Sequence, residues 1–170
     1  VGVERVRAEG RRLVLTDSWA GSAGEKFAEA MGLERAAVGV QRRQELRALD
    51  WPQLDAEFAE AESRAIGYEL LRIAGPTPEE MLVDVAVMTA AINDAPIDDL
   101  DIEDEVFSAE RVRTFEAAQL AARMRIYRVI ARERETGVLG GHTMVGVDAE
   151  HPGYAGQYDT SVLRAHRGHR

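Results

Sequence analysis

The order of hydrophobic patterns from residue 67 onward limits the possible folds of this chain more than any other feature. Residues 67–75 have the composition of a strand, and residues 77–92 repeat apolar side chains at the helical period after the capping box Thr77-Pro78-Glu79-Glu80. Residues 108–124 are also amphipathic with a helical period. Three further strands are predicted, at residues 125–133, 138–148 and 158–165. The predicted order is strand, helix, helix and a three-stranded meander.

The first 66 residues follow another pattern. Ser22 and Glu25 form a capping box that predicts a helix ending at Gly32, and Gly10 closes what reads as the last turns of an earlier helix. Apolar alternation predicts strands at residues 11–17 and 36–46. Residues 48–66 are rich in alanine and glutamate, which predicts a helical linker.

Composition indicates a globular protein. The chain has 170 residues, of which 45% are apolar and 30% charged, enough to bury one good core or two small ones. It contains no run of about eighteen apolar residues and no secretory signal, so we expect no membrane association. The absence of cysteine excludes disulfides and makes the cytoplasm the default location.

The net charge of −9 is unevenly distributed. Residues 67–110 carry twelve acidic side chains and one basic side chain, whereas the end of the chain is basic. Six carboxylates fall within residues 98–105, which suits a cationic partner, although a solvated loop is the favoured explanation for them. The acidic balance argues against a nucleic-acid-binding module. His166 and His169 lack further ligands at zinc spacing, so we predict no metal site.

The basic terminus has the chemistry of an anion-binding turn. Val162 stands five residues before Arg167, and Arg167-Gly168-His169-Arg170 follows directly. Small residues let a backbone approach an anion, its N–H groups can converge on a phosphate, and arginine adds bidentate contacts. A basic segment of this kind favours phosphate or another anion as its partner, although a solvated face is the simpler explanation for a charge run.

These residues and the element order resemble the first half of a GNAT N-acetyltransferase. In that family the fourth strand leads, with a fixed valine-to-arginine spacing, into a loop of the form Q/R-x-x-G-x-G/A that binds the pyrophosphate of coenzyme A. Arg167 to Arg170 would supply its first four positions, with Arg170 in place of the middle glycine. The resemblance implies an α/β (α+β) fold: a mixed, mainly antiparallel sheet flanked by helices.

The N-terminal segment resembles the second half of the same fold, yet it precedes the first half. The arrangement is similar to the tandem type found in actinobacteria. It implies that residues 1–47 are the C-terminal part of a first GNAT-like domain and that residues 67–170 are the N-terminal part of a second. Residues 48–66 would be a helical linker between the two domains. The alternative is that the halves associate, within one chain or by exchange in a homo-oligomer.

The resemblance implies transfer of an acetyl group from acetyl-CoA to a primary amine of a small molecule or peptide. For the base or its water relay it points to Asp159, then Tyr158 and Glu133. Cofactor contacts would come from the end of the fourth strand and the loop: Val162, Leu163, Arg164, Arg167, Gly168, His169 and Arg170. The general acid would lie beyond residue 170.

A non-catalytic acyl-CoA-binding or regulatory module is the alternative function. In the first domain, Ala28 occupies the position where the family often has a tyrosine that acts as the general acid. That half-site therefore lacks the usual acid. A module of that kind would keep the anion-binding loop and lose the acid and base.

Overall fold

The computed structural model describes residues 2–95 and 102–168. These residues form two compact units, one comprising residues up to 40 and the other residues 41–95 and 102–168. The helices are α1 (Gly2–Ala8), α2 (Ala23–Ala30), α3 (Trp51–Arg64), α4 (Leu82–Ala90) and α5 (Ala109–Ala121). The strands are β1 (Tyr68–Ala74), β2 (Met124–Glu133), β3 (Leu139–Asp148) and β4 (Ala155–Val162). None of the described helices is long and apolar enough to cross a membrane.

The first unit consists of α1, α2 and segments without regular secondary structure. Ser22 caps α2 by accepting a hydrogen bond from the Glu25 N–H at 3.3 Å, as the capping box predicts. The predicted strands at residues 11–17 and 36–46 are wrong, because neither segment pairs with a strand in the described chain. A strand is stable only in a ladder, and local apolar alternation does not guarantee a partner. No side chain described between residues 4 and 40 is buried.

The second unit confirms the order predicted from residue 67. Its sheet is an antiparallel meander in the order β1-β2-β3-β4. Helices α4 and α5 cover one face, where the core gathers Leu82, Val85, Ala86, Met88, Val112, Ile130 and Leu139. On the opposite face, Leu70, Tyr127 and Val162 are each about 40% exposed: 38%, 43% and 40% respectively. The predicted α/β architecture, a mainly antiparallel sheet flanked by helices, is confirmed in this unit.

The capping box predicted at Thr77 is wrong. A short 3-10 helix, Glu79–Met81, precedes α4, and its N-cap residue is Pro78, which makes no side-chain cap. The Thr77 hydroxyl donates instead to the buried Glu116 carboxylate of α5 at 2.6 Å, and the Thr77 N–H donates to the same carboxylate at 2.8 Å. A hydrogen bond from the hydroxyl to a buried carboxylate is charge-assisted and therefore stronger than a cap in which the hydroxyl oxygen accepts from a neutral backbone N–H group, which accounts for the difference.

Candidate functional site

The candidate site lies where β4 ends. β4 is the last strand of the described sheet. One edge of β4 pairs with β3, and the other edge pairs with no described strand. After Val162, the Leu163 N–H donates to the Gly140 carbonyl at 2.8 Å, and a short 3-10 helix, Arg164–His166, turns the chain. Gly168 follows at φ 84°, a left-handed conformation that favours glycine. We call residues 163–168 the terminal turn.

A single carboxylate joins the two arginines of the terminal turn. Asp94, at the end of the 3-10 helix Ala91–Asp94 that continues α4, accepts from Arg164 Nη2 at 3.1 Å and from Arg167 Nη2 at 2.7 Å. Arg167 Nε also donates to the Val162 carbonyl at 2.9 Å. The hydrogen bond from Arg167 and the charge of both arginines lower the pKa of the Asp94 carboxyl, so this group is anionic at neutral pH.

An open cleft of about 210 Å³ lies beside this arginine pair. Its walls are the last residues of β4 and the end of the α4 segment: Ala91, Ile92, Asp94, Ala95, Thr160, Ser161, Val162 and Arg167. The Ser161 hydroxyl donates to the Met88 carbonyl at 2.5 Å and thereby ties β4 to α4 beneath the cleft. The cleft therefore combines four apolar residues and two hydroxyl-bearing residues with one cationic and one anionic side chain.

His166 anchors the terminal turn to the opposite face of the sheet. Its Nδ1 lies 2.8 Å from the Tyr68 hydroxyl of β1, and the two rings meet edge to face. The ring also covers Gly140, where a β-carbon would lie 2.8 Å from His166 Cγ. The register between β2 and β3 shifts here, because Ala131 pairs with Gly141 and Arg132 pairs with Leu139, which leaves Gly140 without a partner in the ladder. Glycine is needed at this position because the histidine ring occupies the space of a side chain.

Asp159 lies in an irregular part of β4. Thr143 pairs with Thr160 and Val145 with Gln157, so Met144 of β3 faces two residues, Tyr158 and Asp159. Such a bulge redirects side chains. The Asp159 side chain is exposed and makes no hydrogen bond or ion pair within the described part of the chain.

The structure does not bring the other two predicted base residues to the same place. The Tyr158 hydroxyl donates to Gln119 of α5 at 3.1 Å, and its ring packs on Phe115. Glu133 lies at the hairpin between β2 and β3, where it accepts from the Thr136 hydroxyl at 2.5 Å. Arg128, five residues before Glu133, faces Met144, so Glu133 lies about 16 Å along the strand from the level of Asp159.

The predicted cofactor residues are placed as follows. Arg164, Arg167 and Gly168 lie together in the terminal turn, next to Val162. Leu163 uses both backbone groups, since its N–H donates to Gly140 and its carbonyl accepts from the His166 N–H at 2.8 Å. His169, Arg170 and residues 98–101 of the acidic stretch lie outside the described residues. No group of three metal-ligating side chains converges in the described chain.

Sequence reasoning missed Asp94 and the buried ion pair of Glu116 with Arg128. Arg128 Nη2 donates to Glu116 Oε1 at 2.9 Å, and both side chains are at most 5% exposed. Arg128 alternates with Ile126 and Ile130 along β2, and Glu116 follows Val112 by four residues on α5. That spacing was the available signal, because it places both charges on core-facing positions.

Comparison with solved structures supports the fold. Neither protein-family models nor curated sequences match the chain. The chain is similar to a tandem GNAT protein from the clavulanic acid biosynthesis pathway, solved without acetyl-CoA, at a TM-score of 0.59 and 23% identity. The chain has a GNAT-like fold. The match covers 98% of this chain and 49% of the tandem protein, so the chain spans about half the length of its GNAT-like neighbour.

Proposed function

We propose that this chain is part of an acetyl-CoA-dependent N-acetyltransferase that acetylates a primary amine. The observation that carries the proposal is the end of β4. There an edge strand runs directly into a turn that holds Arg164 and Arg167 on one carboxylate, beside an open cleft. The GNAT-like fold supports the same reaction class.

The residues present fit the phosphate part of such a cofactor. Arg164 and Arg167 offer N–H groups to phosphate oxygens, and Gly168 lets the backbone approach them. Val162, at the exposed edge of β4, would contact the pantetheine arm. When bound, acetyl-CoA supplies an acetyl group activated as a thioester.

The chain's own contribution to the reaction would be to remove a proton from the attacking amine. Asp159 is the favoured base, because its carboxylate is exposed, carries no other contact in the described chain and lies in the bulge of β4. The amine would be a small molecule or a peptide, and a cationic one suits the acidic stretch that begins at residue 98.

The proposal includes the tandem arrangement. Residues 1–47 would form the C-terminal part of a first GNAT-like domain, and residues 67–170 would form the N-terminal part of a second. Residues 48–66 would be the helical linker between them. A match that spans almost the whole of this chain and about half of a tandem protein supports this division. The structure of the second unit supports it as well, because its elements follow the order of the first half of the fold.

The alternative is a non-catalytic acyl-CoA-binding module. The observation that favours it is the structural use of two of the three candidate bases, since Tyr158 and Glu133 both make internal hydrogen bonds. Such a module would bind coenzyme A through the terminal turn and would not transfer an acetyl group to an amine.

Two measurements on the full chain test the proposal. Coenzyme A should raise the melting temperature, and acetyl-CoA with a panel of primary amines should release free thiol. Arg167→Ala should remove most of the thermal shift, because it removes one of two paired guanidinium groups. Arg113→Ala is the matched control, since Arg113 forms an exposed ion pair with Glu79 elsewhere.

The outcomes separate the two functions. Binding with amine-dependent thiol release supports the acetyltransferase. Binding without release, across the amine panel, supports the non-catalytic module. A melting temperature that does not respond to coenzyme A contradicts both.

A further inference from the structure

We infer that Asp94 is a positioning residue that sets Arg164 and Arg167 side by side for a diphosphate group. The inference rests on the proposed function, because it assigns a role in the same anion-binding turn. Asp94 itself is an anion and would not touch the phosphates. It would act through the two guanidinium groups that it holds.

The geometry of the bridge is specific. Each oxygen of the Asp94 carboxylate accepts from a different arginine, at 3.1 Å from Arg164 and 2.7 Å from Arg167. The second arginine is also fixed at its Nε by the Val162 carbonyl. Arginine side chains lose considerable rotamer freedom when they bind a ligand. Guanidinium groups that are already held in place lose less, so the anion is bound more tightly.

Most of the donors remain free for a ligand. Arginine has five N–H donors, of which Arg164 uses one and Arg167 uses two in the contacts above. Within the residues that the structure describes, Arg164 therefore keeps four donors and Arg167 keeps three. Their side chains remain 81% and 42% exposed, so solvent and a dissolved anion can reach them. Two cations and one carboxylate leave the cluster with a net positive charge.

The support for Asp94 comes from the core. Asp94 ends the 3-10 helix that continues α4, and α4 buries Val85 and Met88 completely, at 0% exposure. The hydrogen bond from Ser161 to the Met88 carbonyl fixes α4 to β4 close to the same end. The carboxylate is therefore mounted on a rigid element, whereas Arg164 lies on a short turn. A rigid carboxylate can orient two flexible arginines.

Charge and order act in opposite directions here, which makes the inference testable. A negative charge beside the arginines weakens attraction for any anion, whether it carries one phosphate or two. The ordered spacing of two guanidinium groups favours only an anion long enough to contact both. If Asp94 positions the arginines, its removal should weaken the binding of diphosphate relative to monophosphate. If Asp94 only repels anions, its removal should strengthen the binding of both to the same extent.

The experiment measures binding of inorganic pyrophosphate and orthophosphate to the full chain by calorimetry. Asp94→Ala should lower the affinity for pyrophosphate by about fivefold to tenfold and change that for orthophosphate by less than about twofold. Asp94→Asn should behave similarly, because its amide oxygen can accept from one arginine but its NH2 group repels the other. Asp94→Glu, which keeps the carboxylate, should recover part of the preference.

The matched control is Glu150→Ala, which removes an exposed carboxylate paired with Arg123 at the other end of β4 and should leave both affinities unchanged. Melting temperatures will show that each variant folds. Equal or tighter binding of both anions by Asp94→Ala and Asp94→Asn would overturn the inference and leave the proposed anion site intact. Failure of the unmodified chain to bind pyrophosphate would instead overturn the anion site itself, and with it this role of Asp94.

Discussion

The Nη1 atom of Arg128 lies 2.5 Å from Nδ1 of His142, and both side chains are buried, at 5% and 4% exposure. A guanidinium group can only donate, so Nδ1 must accept and the imidazole must be neutral with its proton on Nε2. That proton points to Thr89 Oγ1 at 3.4 Å, and the Thr89 hydroxyl donates to the Val85 carbonyl at 2.8 Å. One contact thus sets the tautomer of His142.

This arrangement makes stability depend on pH. Burial, and secondarily the charge of Arg128, lower the pKa of His142 to about 4 from its ordinary 6.5. Between those values the unfolded chain binds more protons than the folded chain, so stability rises with pH in that range. The contribution is fully present above pH 6.5 and declines as pH falls toward 4, by about 3 kcal/mol in total.

Urea unfolding between pH 4.5 and 7 tests this prediction. His142→Asn keeps an acceptor for Arg128 but cannot titrate, so its free energy of unfolding should vary less with pH than that of the unmodified chain. Its absolute stability will be lower at neutral pH because the smaller side chain leaves a gap. A variant with the same pH slope as the parent would show that His142 does not carry the dependence.

The buried ion pair predicts a second effect. Glu116→Ala leaves Arg128 buried without its carboxylate and should lower the free energy of unfolding by about 3–5 kcal/mol. It also leaves the Thr77 N–H and hydroxyl without their acceptor. The double variant Glu116→Leu with Arg128→Met should recover much of the loss, because it removes the charge together with its partner. Chemical denaturation of the parent and of these two variants gives the comparison, and a double variant less stable than Glu116→Ala would argue against this effect of the unpaired charge.

The elements after residue 67 were predictable because their signals are local. Apolar side chains repeat at the helical period in α4 and α5, and turn residues separate β2, β3 and β4. The N-terminal strands failed for the opposite reason. Residues 11–17 alternate as a strand should, but strand formation depends on a partner elsewhere in the fold.

The candidate site was predictable only in part. Arg164, Arg167 and Gly168 were found because a motif places them in sequence next to Val162. Asp94 stands 70 residues before Arg164, and no local pattern connects them. Glu116 was overlooked for a related reason, since a glutamate on an amphipathic helix is ordinarily exposed. Contacts between distant polar residues are set by the packing of α4 and α5 on the sheet.

The close approach of His166 to Gly140 leads to a third prediction. A β-carbon on Gly140 would lie 2.8 Å from His166 Cγ, so Gly140→Ala must displace the ring and strain its hydrogen bond to Tyr68. We expect a loss of about 1–3 kcal/mol in stability and weaker anion binding at the terminal turn. Gly156→Ala, in β4, is the control, because nothing lies within 4 Å of its added β-carbon. Thermal melting should leave this control near the parent, and equal effects of both variants would contradict the steric argument.

The assignment of Asp159 as the base gives the last prediction. Asp159→Asn should lower kcat for amine acetylation by about a hundredfold, because an amide cannot accept the amine proton. The thermal shift with coenzyme A should remain, since Asp159 lies before the terminal turn and contacts none of its arginines. Glu150→Gln, another exposed carboxylate, serves as the control for charge and should retain full turnover. Full turnover in Asp159→Asn would eliminate Asp159 as the base, whereas loss of coenzyme binding would assign it a structural role instead.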